Sequence, residues 1–206
     1  MRTPPRLFAM TPYSLEGDLG RAYNEAVALL PDDAWAAFLD HDAMLTTREW
    51  YRQLLEAIAF VPDAGAIVAC TNRIAAPWQQ VGDRDCHDVA THRAFGAARA
   101  RDVRTLLDVT DTKGFGGVLF AFSKATWREV GGFIEGATLC VDHGFHFAAR
   151  KAGRRIYLLE GLYVYHWRRA FGDELPPTLR RVESCPCRGP EPMPVRRLTL
   201  PKDGTL

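Results

Sequence analysis

No two cysteines of this chain have the CxxC spacing of a zinc ribbon or a redox motif. The five present, Cys70, Cys86, Cys140, Cys185 and Cys187, are an odd number and scattered. A disulfide framework is thereby excluded as the organising principle, and free thiols are the expected state. The Cys-Pro-Cys at 185–187 is read as an incidental tail feature rather than a soft-metal or oxidisable pair. An excess of one charge is also missing: 26 basic residues face 25 acidic ones, for a net charge of +1. No global field draws in nucleic acid or an anionic membrane, so partners must be recognised locally and nucleic acid is not expected among them. No apolar run approaches the roughly 20 residues of a membrane span. The opening MRTPPRLFAM lacks the apolar core of a secretory signal, which makes a cytoplasmic protein the expectation. There is no internal repeat.

What the chain does have is enough apolar material, 47% of 206 residues, for one substantial core. RLFAM reads as a first buried strand stopped at TPYS by Pro12. DLGRAYNEAVALL then carries Leu19, Tyr23, Ala26 and Leu30 at helical spacing, and AWAAFLDHD is a second strand. Strand, helix, strand is a parallel crossover unit, and its ligand crevice lies at the carboxyl ends of the strands. TPYS and DHD both fall there. TTREWYRQLLEAIAF is a further helix, AGAIVACTNRI a strand with the polar exit Thr71, Asn72 and Arg73, and 76–111 a long excursion containing a helix. GVLFAF is a compact strand preceded by KGFGG, SKATWREVGGF a short helix capped by Ser123, VDHGFHFAARKAG a helix, and RRIYLLEGLYVYHW a pair of strands around Gly161. The expectation is an α/β three-layer sandwich of Rossmann type with a mostly parallel central sheet, over 1–171. Residues 172–206, where proline rises and periodicity fades, read as a tail or surface strap.

Asp40 and Asp42 stand one residue apart at the end of the second strand. A turn or a helix cap accounts for them blandly. If the strand continues, alternate side chains share a face, so both carboxylates point one way with His41 opposite, an arrangement suited to a hard divalent cation.

The order of the parts, a strand-terminal DHD, a glycine-flanked strand with WREVGGF, then VDHGFHFAARKAG and YVYHW, resembles the GT-A nucleotide-sugar glycosyltransferases of the family-two type over roughly 7–167. TNRI, PWQ and GLYVYH look like a small bacterial and phage branch of that group. The resemblance implies transfer of a sugar from a nucleotide-diphosphate donor to a sugar or glycan acceptor hydroxyl, with Mn2+ or Mg2+ neutralising the leaving diphosphate. Asp42 then stands as a direct metal ligand, Asp40 either reaches the metal through water or holds the donor's ribose, and His166 completes the site. Asp142 matches the family's catalytic base, where the alternative is a charge placed at a helix amino terminus. Thr11, Pro12 and Tyr13 fall where the nucleotide pocket begins, with Tyr13 placed to stack on the base. Asn72 and Arg73 address diphosphate or sugar hydroxyls, Gly116 and Gly117 give close approach to the donor sugar, and Trp78 and Gln79 contact the acceptor.

Two features depart from the family's pattern. Asp142 lies between Val141 and His143 where Glu-Asp is usual, which makes His146, one helical turn on, a reserve base. A single helix joins the first strand to DHD where full members carry a further strand and helix, so the donor-binding half is abbreviated and uridine does not follow as the base. Two other classes remain open. A haloacid-dehalogenase-like phosphatase would use Asp40 as nucleophile and Asp42 as acid/base, although Met44 replaces the usual Thr or Val and no later acidic doublet is evident. A non-catalytic nucleotide-sugar binder would suit the shortened donor half.

Overall fold

A computed structural model describes residues 5–167, 181–182, 185, 192–194 and 196–201. Eight strands form one sheet in the order β1 (Arg6–Met10), β2 (Ala34–Leu39), β6 (Leu119–Ser123), β4 (Ala64–Thr71), β7 (Arg155–His166), β5 (Thr105–Asp108), β8 (Arg196–Thr199), while β3 (Ala43–Leu45) pairs with β7 off this path. The helices are α1 (Leu19–Ala28), α2 (Trp50–Phe60), α3 (Val89–Asp102), α4 (Lys124–Glu129) and α5 (Val141–Lys151), with a 3-10 turn at Pro77–Gln79. The sheet is mixed. β1, β2, β4, β7 and β8 run one way, and β6, β5 and β3 run against them.

Strand periodicity sorts the core into two layers. Ala36, Phe38, Val68, Phe120, Phe122 and Leu158 face one side with Tyr23 and Val27 of α1 and Phe145 of α5. Their neighbours Ala37, Ile67, Leu119, Ala121 and Leu159 face the other, against Leu54, Ala57 and Ile58 of α2. The first layer is an aromatic cluster in which Phe38 meets Phe120 and Phe122 edge-on at 5.7 and 5.2 Å between centroids, the arrangement ring quadrupoles favour. β4 is buried throughout because it has a neighbour on each edge and helices on both faces, which its unbroken apolar run anticipates. Asp18 caps α1 by accepting from Arg21 N, and Ser123 caps α4 by accepting from Thr126 N.

Several details differ from the sequence expectation. Residues 155–166 are one strand, not two. Gly161 lies in a bulge at 160–162, where β7 steps past β4 between the Ala69 and Cys70 registers. A Cβ at 161 would sit 2.1 Å from the Val103 carbonyl oxygen, so glycine serves close backbone approach here rather than a turn. The excursion at 76–111 contains the additional strand β5, and Arg196–Thr199 adds β8 beyond it. The described part of 172–206 thus contributes to the sheet edge, and Leu200 and Val182 are buried. The boundary at 171 and Cys187 lie outside the described residues. No helix among the described residues is long and apolar enough to cross a membrane.

Candidate active site

β1 and β2 are parallel neighbours joined by the single helix α1, so their carboxyl ends open on the same edge of the sheet. A cavity of about 570 Å³ lies there, lined among others by Pro12, Tyr13, Asp40, His41, Asp42, Gly116, Gly117, Asp142 and His166. That volume falls within the range of small-molecule and cofactor sites.

Asp40, His41 and Asp42 do not continue β2 as a strand. The Ala43 N–H donates to the Asp40 carbonyl at 3.1 Å, closing a tight turn that leads into β3. β3 then pairs with the end of β7, Ala43 opposite His166, and Trp167 N donates to the Asp42 carbonyl at 2.9 Å. This pairing, rather than strand alternation, carries both carboxylates to His166: Nε2 lies 3.2 Å from Asp42 Oδ1 and 3.8 Å from Asp40 Oδ2. His41 turns instead towards Tyr13, the two rings edge to face at 6.0 Å.

His166 is held from behind. Its backbone N–H donates to Asn72 Oδ1 at 2.8 Å, and its Nδ1 lies 2.7 Å from the Arg73 carbonyl. A carbonyl only accepts, so Nδ1 carries the hydrogen and Nε2 is the atom turned to the carboxylates. Asp40, Asp42 and His166 offer two hard oxygens and one imidazole nitrogen, all within 4.8 Å of one another. This donor set fits a divalent cation of the Mg2+ or Mn2+ type, and the Arg73 carbonyl behind Nδ1 fixes the imidazole with Nε2 forward, as a metal ligand requires. Burial pushes the Asp42 carboxyl up, but when the neighbouring imidazoles are protonated the hydrogen bond from His166 and the charges of His166 and His41 outweigh this and hold it below the usual carboxylate range.

Asp142, in the first turn of α5, accepts from Gly117 N through Oδ2 at 2.7 Å and from His143 N through Oδ1 at 2.9 Å. The two bonds fix the carboxylate's orientation in the cavity wall. The adjacent glycines are needed for packing. A Cβ on Gly116 would lie 2.1 Å from Ile74 Cγ1, and one on Gly117 would press on Asp142.

The other sequence candidates divide sharply. Pro12 and Tyr13 line the cavity, and Tyr13 is 64% exposed at its mouth. Thr11, exposed, does not line it. Asn72 is a support for His166, not a ligand contact, and is buried. Arg73 points away to the 84–87 loop, donating to the Arg84 carbonyl at 2.7 Å and lying 3.6 Å from Asp85. Trp78 and Gln79 are not acceptor contacts. Trp78 is in the core, and Gln79, fully buried, clamps the glycine loop by donating to the Ala69 and Gly116 carbonyls and accepting from Gly116 N, each at 2.9 Å.

His146 is withdrawn as a reserve base because it faces the core rather than the cavity. It is fully buried, and its Nε2 donates to the Thr110 carbonyl at 3.0 Å. Burial is the main reason its pKa falls from 6.5 to about 4. A group that resists protonation in the fold stabilises it above the unfolded value, and that stability drains away as pH falls from 6.5 towards 4. The expected acid-side loss is roughly 3 kcal/mol. Urea unfolding at pH 7.5 and 4.5 measures it, and His146→Gln should flatten the difference; an equally steep difference in the variant would show that other groups carry it.

Among the cavity residues not singled out from sequence, three bear charge or a phenol. Lys113, Arg181 and Tyr23 line the wall. The Tyr23 phenol is pushed well up, first by burial and then by the charges of Asp40 and Asp142, so it stays neutral between them. Lys113 stands directly before the glycines that drew attention to that loop, and a lysine opening a glycine-rich loop was the available signal. No protein-family model matches this sequence, and no curated protein matches it.

Proposed function

We propose that the protein is a metal-dependent, inverting glycosyltransferase that moves a sugar from a nucleotide-diphosphate donor to an acceptor hydroxyl, on a GT-A-like fold abbreviated in its donor half. The reading rests above all on one observation: Asp40, Asp42 and His166 share a cavity with Asp142, with Lys113 and Arg181 on its walls. Asp40, Asp42 and His166 would hold the cation, which would supply positive charge to the leaving diphosphate. Lys113 and Arg181 add positive side chains suited to an anionic ligand. Tyr13 offers an exposed ring at the mouth for the nucleobase. Asp142 takes the proton of the acceptor hydroxyl as its oxygen forms the new bond to the anomeric carbon. The bond from that carbon to the diphosphate oxygen breaks with its electron pair leaving on the diphosphate, and the anomeric configuration inverts.

The test is a panel of nucleotide sugars scored by thermal shift with and without manganese, followed by product analysis. A cation-dependent upward shift with one class of donor, and slow release of nucleoside diphosphate from it, is the expected result. Phosphate released from an aryl phosphate, with no response to any nucleotide, would support the phosphatase reading instead. Cation-dependent binding with no donor turnover in the presence of any acceptor would leave a binding protein.

A further inference from the structure

A second group of metal-ligating side chains, distinct from Asp40, Asp42 and His166, lies further along the same cavity, which Cys140 and His143 also line. Cys140, His143 and Cys185 each place a ligand atom within 4.8 Å of the other two. His143 Nδ1 lies 3.4 Å from Cys185 Sγ. All three are partly buried. They come from two places far apart in sequence. Cys140 and His143 flank the start of α5, and Cys185 belongs to the carboxyl-terminal part of the chain. The two are held in register by backbone hydrogen bonds: Leu139 bridges to Arg181, Val182 N donates to the Leu139 carbonyl at 3.1 Å, and Cys185 N donates to the Val182 carbonyl at 3.2 Å. Val182 and Cys185 pack on the aromatic core layer. Cys140 has φ 67°, the single non-glycine residue among the described ones with positive φ, and this left-handed turn is how the chain enters α5 with the Cys140 and His143 side chains on the same side as Cys185.

We propose that Cys140, His143 and Cys185 bind a soft divalent cation of the zinc type, which staples the carboxyl-terminal segment to the start of α5. Two thiolates and an imidazole select such a cation over the hard ions suited to the oxygen-rich set at Asp40 and Asp42. Binding replaces the protons of the two thiols by the metal, releasing them to solvent, and involves no redox change. The consequence is positional. Arg181, four residues before Cys185, lines the cavity, so a metal tying Cys185 to α5 fixes that wall and steadies the helix turn that carries Asp142. The site adjoins the proposed base, but neither the grouping of its three ligands nor its test depends on sugar transfer.

The experiment is a cobalt(II) titration of the reduced full-length protein, read by absorption. One equivalent per chain should produce thiolate-to-cobalt charge-transfer bands in the near ultraviolet, and zinc should abolish them by displacement. Cys140→Ser and Cys185→Ser should each remove the bands, and His143→Ala should weaken cobalt binding. Asp42→Asn should keep the bands unchanged, because carboxylate and imidazole ligands give no thiolate transition, so failure here is distinguishable from failure of the sugar-transfer reading. Circular dichroism confirms that each variant is folded before its spectrum is interpreted. The proposal is overturned if cobalt gives no thiolate band, if the band survives in the Cys140→Ser/Cys185→Ser double variant, or if peptide mapping finds a Cys140–Cys185 disulfide in the metal-free protein as isolated.

Discussion

Asp42→Asn is expected to bind a nucleoside diphosphate equally well with and without manganese, whereas the unaltered protein should gain about tenfold or more in affinity, some 1.4 kcal/mol, when the cation is added. The reason is electrostatic. A diphosphate entering a cavity that already holds Asp40, Asp42 and Asp142 meets three carboxylates, and Lys113 and Arg181 offset them only in part. A divalent cation held by Asp40, Asp42 and His166 would cancel the two carboxylate charges of that corner, leaving Asp142 opposed by Lys113 and Arg181. Asn removes the charge, keeps the size, and leaves the Trp167 bond to the residue 42 carbonyl in place, so the fold should be little affected. Isothermal titration calorimetry with and without manganese measures the difference, and His166→Ala should reproduce it. A full manganese effect in Asp42→Asn would sink the metal assignment.

The same corner shows how far the sequence could be read. The apolar run ending in DHD was legible as a strand, and YVYHW as the end of a strand carrying His166, the histidine that faces both carboxylates. What joins them is β3, a strand of three residues, too short for any periodicity to register. The turn at 40–43 was the plainer of the two readings of Asp40 and Asp42 and is the one found, while the two carboxylates were expected to share a face by strand alternation and are carried to His166 instead by the pairing of β3 with β7. Asn72 and Arg73 were recognised as polar residues at a strand exit. Sequence does not say whether such groups face the cavity or the backbone of the next strand, and here Asn72 and the Arg73 carbonyl serve His166.

Gln79 illustrates the converse case. An amide in a loop reads as a ligand contact, but this one satisfies three backbone groups that would otherwise be buried without partners. Arg181 was hidden because it lies in a proline-rich stretch with no pattern, and only the pairing with Leu139 brings it to the cavity. β5 and β8 were missed as four-residue strands that depend on each other at the sheet edge. Their apolar content alone is too small to announce them.

Asp142→Asn is expected to lower turnover by about a hundredfold or more while leaving donor affinity largely intact, because a general base acts in the transition state and contributes little to ground-state binding. Both Asp142 carboxylate oxygens accept a backbone N–H, from Gly117 and His143, so the variant's fold must be checked by circular dichroism before its turnover is read. The amide retains one acceptor oxygen, so in a folded variant the larger part of the effect falls on chemistry rather than on the entry of α5. The single displacement also requires a product of opposite anomeric configuration to the donor and no covalent sugar on the protein, which nuclear magnetic resonance of the product and intact-protein mass spectrometry decide. His146 gives the internal control: buried and turned to Thr110, it should tolerate His146→Gln with turnover within a few-fold of normal once the protein is folded. Near-normal turnover in Asp142→Asn would remove the base assignment. Retained configuration would remove the single displacement even with the metal corner intact, since an inverting base on one face of the sugar cannot give that product.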